Sequence, residues 1–216
     1  MKKNRLFPCL TIVASVLCQD AWANNLDMEY ASFYNHLRKI DNADMAALQF
    51  SFGFKKVEEN RLCRITEGKL VTQKVTMPII ISDEQRFTLP TEKALKLANA
   101  VVSLALQDAP NQCDLSVQLE TKPSFLRTQY SAMELQNLAE QYAEFFDAMG
   151  GFLDFLMPSS QGLVLHFAQA PQLATQVTGL TVNGNDLVVS DAWIAANKNP
   201  LNLMIEPLRI TALVVK

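Results

Sequence analysis

Leu48-Gln49-Phe50-Ser51-Phe52-Gly53-Phe54 is the stretch on which the fold class turns. Leu48, Phe50, Phe52 and Phe54 alternate with Gln49, Ser51 and Gly53. That period of two predicts a β-strand with one apolar face. Three phenylalanines on one face read as core. Gly53 weakens the strand and predicts a bulge.

Working outward, residues 62–66 and 70–75 read as short strands, with Glu67-Gly68 as the turn between them. Residues 77–81 are rich in β-branched side chains, and Pro78 places them at an edge or a bend. Residues 87–89 predict a brief pairing before Pro90. Residues 101–106 and 115–119 are two further strands, flanking the loop that holds Pro110 and Cys113. Upstream, Asn24 to Asp27 reads as a polar lead-in. Asp27 is the expected cap of a helix over residues 28–40, which carries Tyr30, Phe33, Tyr34, Leu37 and Ile40 on one face. A short helix over residues 91–98 has Thr91 as its expected cap.

Downstream, Lys122-Pro123-Ser124 separates this β-rich half from a long helix. Ser131 followed by Glu134 is a capping-box pattern that starts it, and Pro158 stops it near Met157. Leu135, Leu138, Tyr142, Phe145, Met149, Phe152 and Leu156 recur in steps of three and four, a heptad seam. Strands follow at 163–167, 180–183 and 187–189, the last two forming a hairpin around Gly184-Asn185. One or two helical turns over 191–196 and a final strand over 208–215 complete the chain. This order predicts an α+β fold: a mainly antiparallel sheet with helices packed on one face and one long amphipathic helix.

The chain has 216 residues, of which 49% are apolar and 19% charged. Its mean hydropathy is +0.06. That composition excludes a disordered chain, and a net charge of -3 gives no footprint for binding a polyanion such as nucleic acid. Residues 1–23 have the three-part layout of a secretory leader. Lys2, Lys3 and Arg5 precede an apolar run over residues 6–18, and Ala21-Trp22-Ala23 supplies the small-x-small cleavage pattern. The run is too short to span a bilayer. Leu17 before Cys18 disfavours a lipid-attachment site. Cleavage after Ala23 is expected, leaving residues 24–216 as a single domain without a stable transmembrane anchor.

Cleavage takes away Lys2, Lys3, Arg5 and Asp20. The remaining 193 residues then hold 16 basic against 21 acidic side chains, a charge of -5. Cys9 and Cys18 leave as well, so Cys63 and Cys113 have only each other as internal partners. A bridge between them closes a loop of roughly 50 residues, with a stabilising ceiling of about 4 kcal/mol. A redox pair is disfavoured because the C-x-x-C spacing is absent.

Catalytic signatures are missing. His36 and His166 are the two histidines, and neither has a metal-ligand neighbour at helical or strand spacing. No G-x-S-x-G elbow, S-x-x-K pair or glycine-rich phosphate loop occurs. Glu58-Glu59 and Asp83-Glu84 read as solvated turns. No metal and no cofactor are expected.

The long helix is the unusual feature. Phe145, Phe146, Met149, Phe152, Leu153, Phe155, Leu156 and Met157 wrap most of its circumference, with Gly150-Gly151 in their midst. One reading is a buried core helix that crosses another element closely at the glycines. A second is an apolar ligand or partner surface formed by Phe145, Phe146, Met149, Phe152, Phe155 and Met157, and a third is a true break into two helices at the glycines.

Several stretches carry a family resemblance. They are Cys63-Arg64-Ile65-Thr66-Glu67-Gly68-Lys69-Leu70-Val71-Thr72, Leu89-Pro90, Gln112-Cys113-Asp114-Leu115 and Gly179-Leu180-Thr181-Val182. With the leader and the Tyr30, Phe33, Leu37 helix, the chain resembles an uncharacterised family of exported gammaproteobacterial proteins, domain of unknown function 2987. The resemblance implies a periplasmic protein of a Gram-negative envelope. It transfers the two cysteines as structural residues and carries no activity.

Three functions therefore stand as expectations. The first is a non-catalytic periplasmic accessory protein acting on an envelope protein. The second is a carrier or sensor for an apolar ligand such as a lipid or acyl chain. The third is a hydrolase assembled from His166, Ser159, Ser160 and nearby acids. It requires His166 within hydrogen-bond reach of a Ser or carboxylate in a cleft, and a buried His166 bonded only to backbone would end it.

Overall fold

A computed structural model describes residues 24–150, 159–173 and 178–215. The leader, and the apolar positions Phe152, Phe155 and Met157, lie outside the described residues. The first strand is β1 (Asn24–Glu29), followed directly by α1 (Tyr30–Leu37). The expected cap at Asp27 is therefore corrected. Asp27 lies within a strand opposite Ser103, and Glu29 takes the cap position without a side-chain bond. Leu26 and Met28 stand opposite Leu104 and Val102. That alternation is apolar enough to recruit the segment into a sheet, which a local helix reading misses.

β2 (Leu48–Lys56) realises the stretch from which the fold class was read. β3 (Ile65–Val71) runs straight through Glu67 and Gly68, so the turn expected there is replaced by one strand with an irregularity between Ile65 and Glu67. β4 (Thr76–Pro78) is an edge strand, as Pro78 requires. α2 (Lys93–Leu97) starts after Glu92, and Thr91 does not cap it. β5 (Val101–Leu106) and β6 (Cys113–Thr121) follow.

Two-residue β7 (Gln129–Tyr130) leads into α3 (Ala132–Gly150). Its capping box forms as expected. The Glu134 amide donates to Ser131 Oγ at 3.2 Å, and the Ser131 amide donates to Glu134 Oε2 at 2.8 Å. The chain closes with β8 (Ser159–His166), β9 (Thr181–Asn183), β10 (Asp186–Ser190), α4 (Asp191–Ala196), β11 (Leu201–Asn202) and β12 (Arg209–Val215).

Every described strand pair is antiparallel, and the fold class is α+β. One sheet has the order β1-β5-β3-β4 and a second β12-β8-β10-β9, while β2 pairs with β6 and β11 with β7. The second sheet buries Leu163, Leu165, Leu187, Val189 and Ile210 on one face. α3 packs against β8 and α4. Where β8 meets β10, Gly162 has φ +135°, and a Cβ there would lie 2.3 Å from the Val189 carbonyl oxygen. No other residue fits.

α1 closes over the β2–β6 pair. Phe33 meets Phe52 edge to face at 4.9 Å, and Phe87 packs 5.8 Å from Phe52. Cys63 and Cys113 form the disulfide, with their Cα atoms 6.2 Å apart. It joins the loop after β2 to the first residue of β6, which already faces Lys56 across the ladder.

Candidate functional site

The β2–β6 pair has two faces of opposite character, and each builds a candidate site. Phe50, Phe52 and Phe54 stand opposite Leu119, Val117 and Leu115 on the apolar face. The phenylalanines are buried, but Leu115 and Val117 are 49% and 47% exposed. Among the described residues β6 makes no backbone hydrogen bond at residues 114–120 other than to β2, although β12 packs alongside it. Beside it α3 contributes the end of its seam. Leu135, Leu138 and Tyr142 are buried, Phe145 is half-buried, and Met149 is exposed.

The seam thus emerges from the core at Phe145. Its ring packs edge to face on Phe50 at 5.8 Å and on Phe146 at 5.4 Å. Phe145, Phe146, Val117, Leu119, Ala212 and Val214 line a groove of about 440 Å³. Of the residues singled out in the sequence, the structure therefore brings Phe145 and Phe146 together at one opening. Met149 lies further along α3, where Lys39 Nζ is 3.7 Å from its sulfur.

The other face of β2–β6 carries Gln49, Ser51, Gly53 and Lys55 opposite Glu120, Gln118, Ser116 and Asp114. No bulge occurs at Gly53, because the register is unbroken. The glycine instead admits a tight turn against the strand. A Cβ there would sit 3.1 Å from the Gln85 carbonyl and 3.5 Å from Arg86 Cγ. The turn is closed by Ser82 N–H to Arg86 O at 2.8 Å and Gln85 N–H to Ser82 O at 2.9 Å, with Gln85 at φ 60°.

Arg86, Arg209, Arg61 and Lys55, with Asp83 and Glu84, line a cleft of about 650 Å³ on this face. Arg209 pairs with Glu84. Arg61 is committed to Asp108 at 2.7 Å. Behind the cleft lies Glu120, 9% exposed, accepting from Gln49 at 3.0 Å. Burial pushes its carboxyl up, while its hydrogen bonds and the Arg86 and His166 charges pull the other way. Burial lowers the pKa of both Arg86 and Arg209, though guanidinium stays charged in proteins.

His166 sits on the second sheet between β10 and β12. Its Nδ1 is 2.7 Å from Asp186 Oδ1 and its Nε2 is 2.9 Å from Thr211 Oγ1. An ionised carboxylate only accepts, so Nδ1 donates to Asp186, while the Thr211 hydroxyl can give or take the bond at Nε2. The reach set for the hydrolase is thus supplied by the Asp186 carboxylate and not by Ser159 or Ser160, and His166 lines neither the groove nor the cleft. Those serines lie at the far end of β8. Asp186 and Arg209 both face His166 across the ladder. Sequence reasoning missed Asp186, Thr211, Arg86, Arg209 and Glu120. The only signal was alternation, which put Arg209 and Thr211 on the same side of one strand.

Among the described residues no helix is long and apolar enough to cross a membrane. Fold and surfaces together define a disulfide-braced α+β protein with an apolar groove between β6, α3 and β12 and an arginine-lined cleft on the other face of β2–β6. The chain belongs to the family of proteins of unknown function DUF2987, whose match covers residues 22–167. No curated protein and no solved structure matches it. The matched span holds both cysteines, β6 and Arg86, while Asp186, Arg209 and Thr211 lie beyond it.

Proposed function

We propose that this protein is a non-catalytic accessory protein of the Gram-negative periplasm that docks an extended apolar segment of another envelope protein along β6. The carrying observation is the apolar face of β2–β6, which runs out uncovered onto β6 at Leu115 and Val117. β12 lies alongside that strand's outer edge without a ladder hydrogen bond to it among the described residues, so the surface offered is the exposed apolar face. An extended segment laid on that face gains apolar contacts from every second residue.

Export through the leader ending at Ala23 supplies the compartment. The Cys63–Cys113 bridge supports it, because disulfides persist where thiols are oxidised. The non-catalytic reading draws support from the position of Thr211. It lies inside a strand, away from the turns and helix N-termini that supply spare amides for an oxyanion.

A second reading, a carrier for a lipid or acyl chain, is favoured by the groove at Phe145 and Phe146, whose size suits a small ligand. Native mass spectrometry of protein purified from its own envelope separates the two. A stoichiometric protein partner, lost in Leu115→Lys and Val117→Lys, supports docking. A co-purified lipid lost in Phe146→Lys supports the carrier. Retention of the same partner by both β6 variants would sink the strand-docking proposal.

A further inference from the structure

The cleft behind β2–β6 holds guanidinium donors that the protein leaves without partners among the described residues. Four of the side chains lining it are basic and two are acidic, with Asp108 on Arg61 and the buried Glu120 facing Arg86 from behind. Arg61 is spent on Asp108, but the other three cations are not matched in the same way. Arg86 makes no side-chain hydrogen bond to any described residue, and its Nη1 is buried without a partner. Arg209 gives one bond to Glu84, and its Nε is likewise buried and unpartnered among the described residues. Lys55 forms no ion pair there either, although Asp114 stands opposite it in the ladder.

A guanidinium carries five donors in a planar fork that fits carboxylate and phosphate oxygens. Withdrawing such a group from water without partners is costly. Arg86 is half-buried, and the chain holds it there by construction. Gly53 clears the strand for its stem, and the Ser82–Arg86 turn fixes its backbone. Arg209 arrives from β12, a strand far away in sequence. The convergence of two guanidiniums from separate elements is a feature of the tertiary structure.

We propose that this cleft is a binding site for the oxyanion group, phosphate or carboxylate, of a small hydrophilic molecule, held between Arg86 and Arg209 with Lys55 at the rim. The volume of about 650 Å³ accommodates a small metabolite. The lining has no aromatic side chain, which sets this site apart from the apolar groove and selects a polar ligand. Ser116 lies opposite Gly53 on the cleft floor, leaving room for the anion where a longer side chain would intrude.

Calorimetric titration of the protein recovered from expressing cells, with inorganic phosphate in one arm and citrate in the other, tests the site. Saturable one-to-one binding of either probe is expected, weakening as salt rises. Arg86→Gln and Arg209→Gln each weaken it at least ~10-fold, about 1.4 kcal/mol. Lys39→Gln, far from the cleft on the apolar-groove side, leaves it unchanged. Phosphate alone or citrate alone identifies the oxyanion.

Ser116→Glu gives a test that does not depend on the arginine variants folding. An internal carboxylate should take the place of the ligand, abolishing binding of both probes and raising the melting temperature. Three results would overturn the proposal: no saturable binding of either probe, unchanged affinity in folded arginine variants, or an unchanged or lowered melting temperature in Ser116→Glu. None of these outcomes bears on docking at β6, which Leu115→Lys and Val117→Lys probe.

Discussion

Tyr142 stands where the long helix meets two separate sheets, and its hydroxyl joins them. It donates to the Ile210 carbonyl at 2.6 Å and lies 3.0 Å from Thr121 Oγ1, which therefore donates to it. Burial raises its pKa far above the usual tyrosine value. Tyr142→Phe leaves a buried carbonyl and a buried hydroxyl unpaired, a cost of about 1–3 kcal/mol, read from the shift in urea midpoint. Asp108 sets a pH dependence. Bonds from Arg61, the Arg64 amide and Lys56 hold its carboxyl well below the usual range. A depressed carboxyl stabilises the fold above the unfolded value, about pH 4, and that contribution disappears as pH falls towards the folded one. Urea midpoints should therefore drop below about pH 4, and Asp108→Asn should flatten the drop. The same midpoint in native protein unchanged between those pH values would contradict this. Replacing Cys63 and Cys113 by serine should cost about 2–4 kcal/mol, checked by the same unfolding assay with and without reductant.

Elements were legible where local pattern and tertiary environment agree. The β2 alternation, the Ser131–Glu134 box, the Gly184-Asn185 hairpin and the final strand all formed where their residues point. Disagreement came where a segment is pulled into a sheet by partners distant in sequence. Asn24–Glu29 pairs with Val101–Leu106, and Glu67-Gly68 is threaded through β3 because β5 lies alongside. Gly68 there is no turn residue. A Cβ would meet Ile79 and Leu104 at 3.0 Å, so the glycine answers to packing. Gly162→Ala should be the most damaging small substitution in the second sheet. The positive φ and the Val189 carbonyl together predict a loss on the order of 3 kcal/mol, visible as a lower thermal midpoint. Ser131→Ala removes one half of the capping box and should cost about 1 kcal/mol.

At the scale of the whole molecule, the family match and the folded unit do not share a boundary. The match ends at residue 167, yet β8 inside it is flanked on both edges by β10 and β12 from beyond it. Tyr142 likewise takes its acceptor from Ile210. A chain truncated after Phe167 should therefore fail to fold cooperatively, with a broad, shallow urea transition where the longer chain shows a sharp one. A sharp two-state transition in the truncated chain would show that the matched span is self-sufficient.

Taken alone, the sequence determined the α+β class, the strand at residues 48–54 and the start of the long helix, and it pointed to the Cys63–Cys113 pair as the one left beyond the expected leader. Each of these is written in local spacing, in caps or in a count of two. It also marked Phe145 and Phe146 as a surface to watch, because an apolar helix must either be covered or bind. The tertiary structure alone decided which way β6 faces, and it brought Arg86 to Arg209 and His166 to Asp186 and Thr211. Those partners are 123, 20 and 45 residues apart. Charged residues scattered along a chain carry no signal of convergence, since the ladder register that aligns them is set by the burial of the opposite, apolar face.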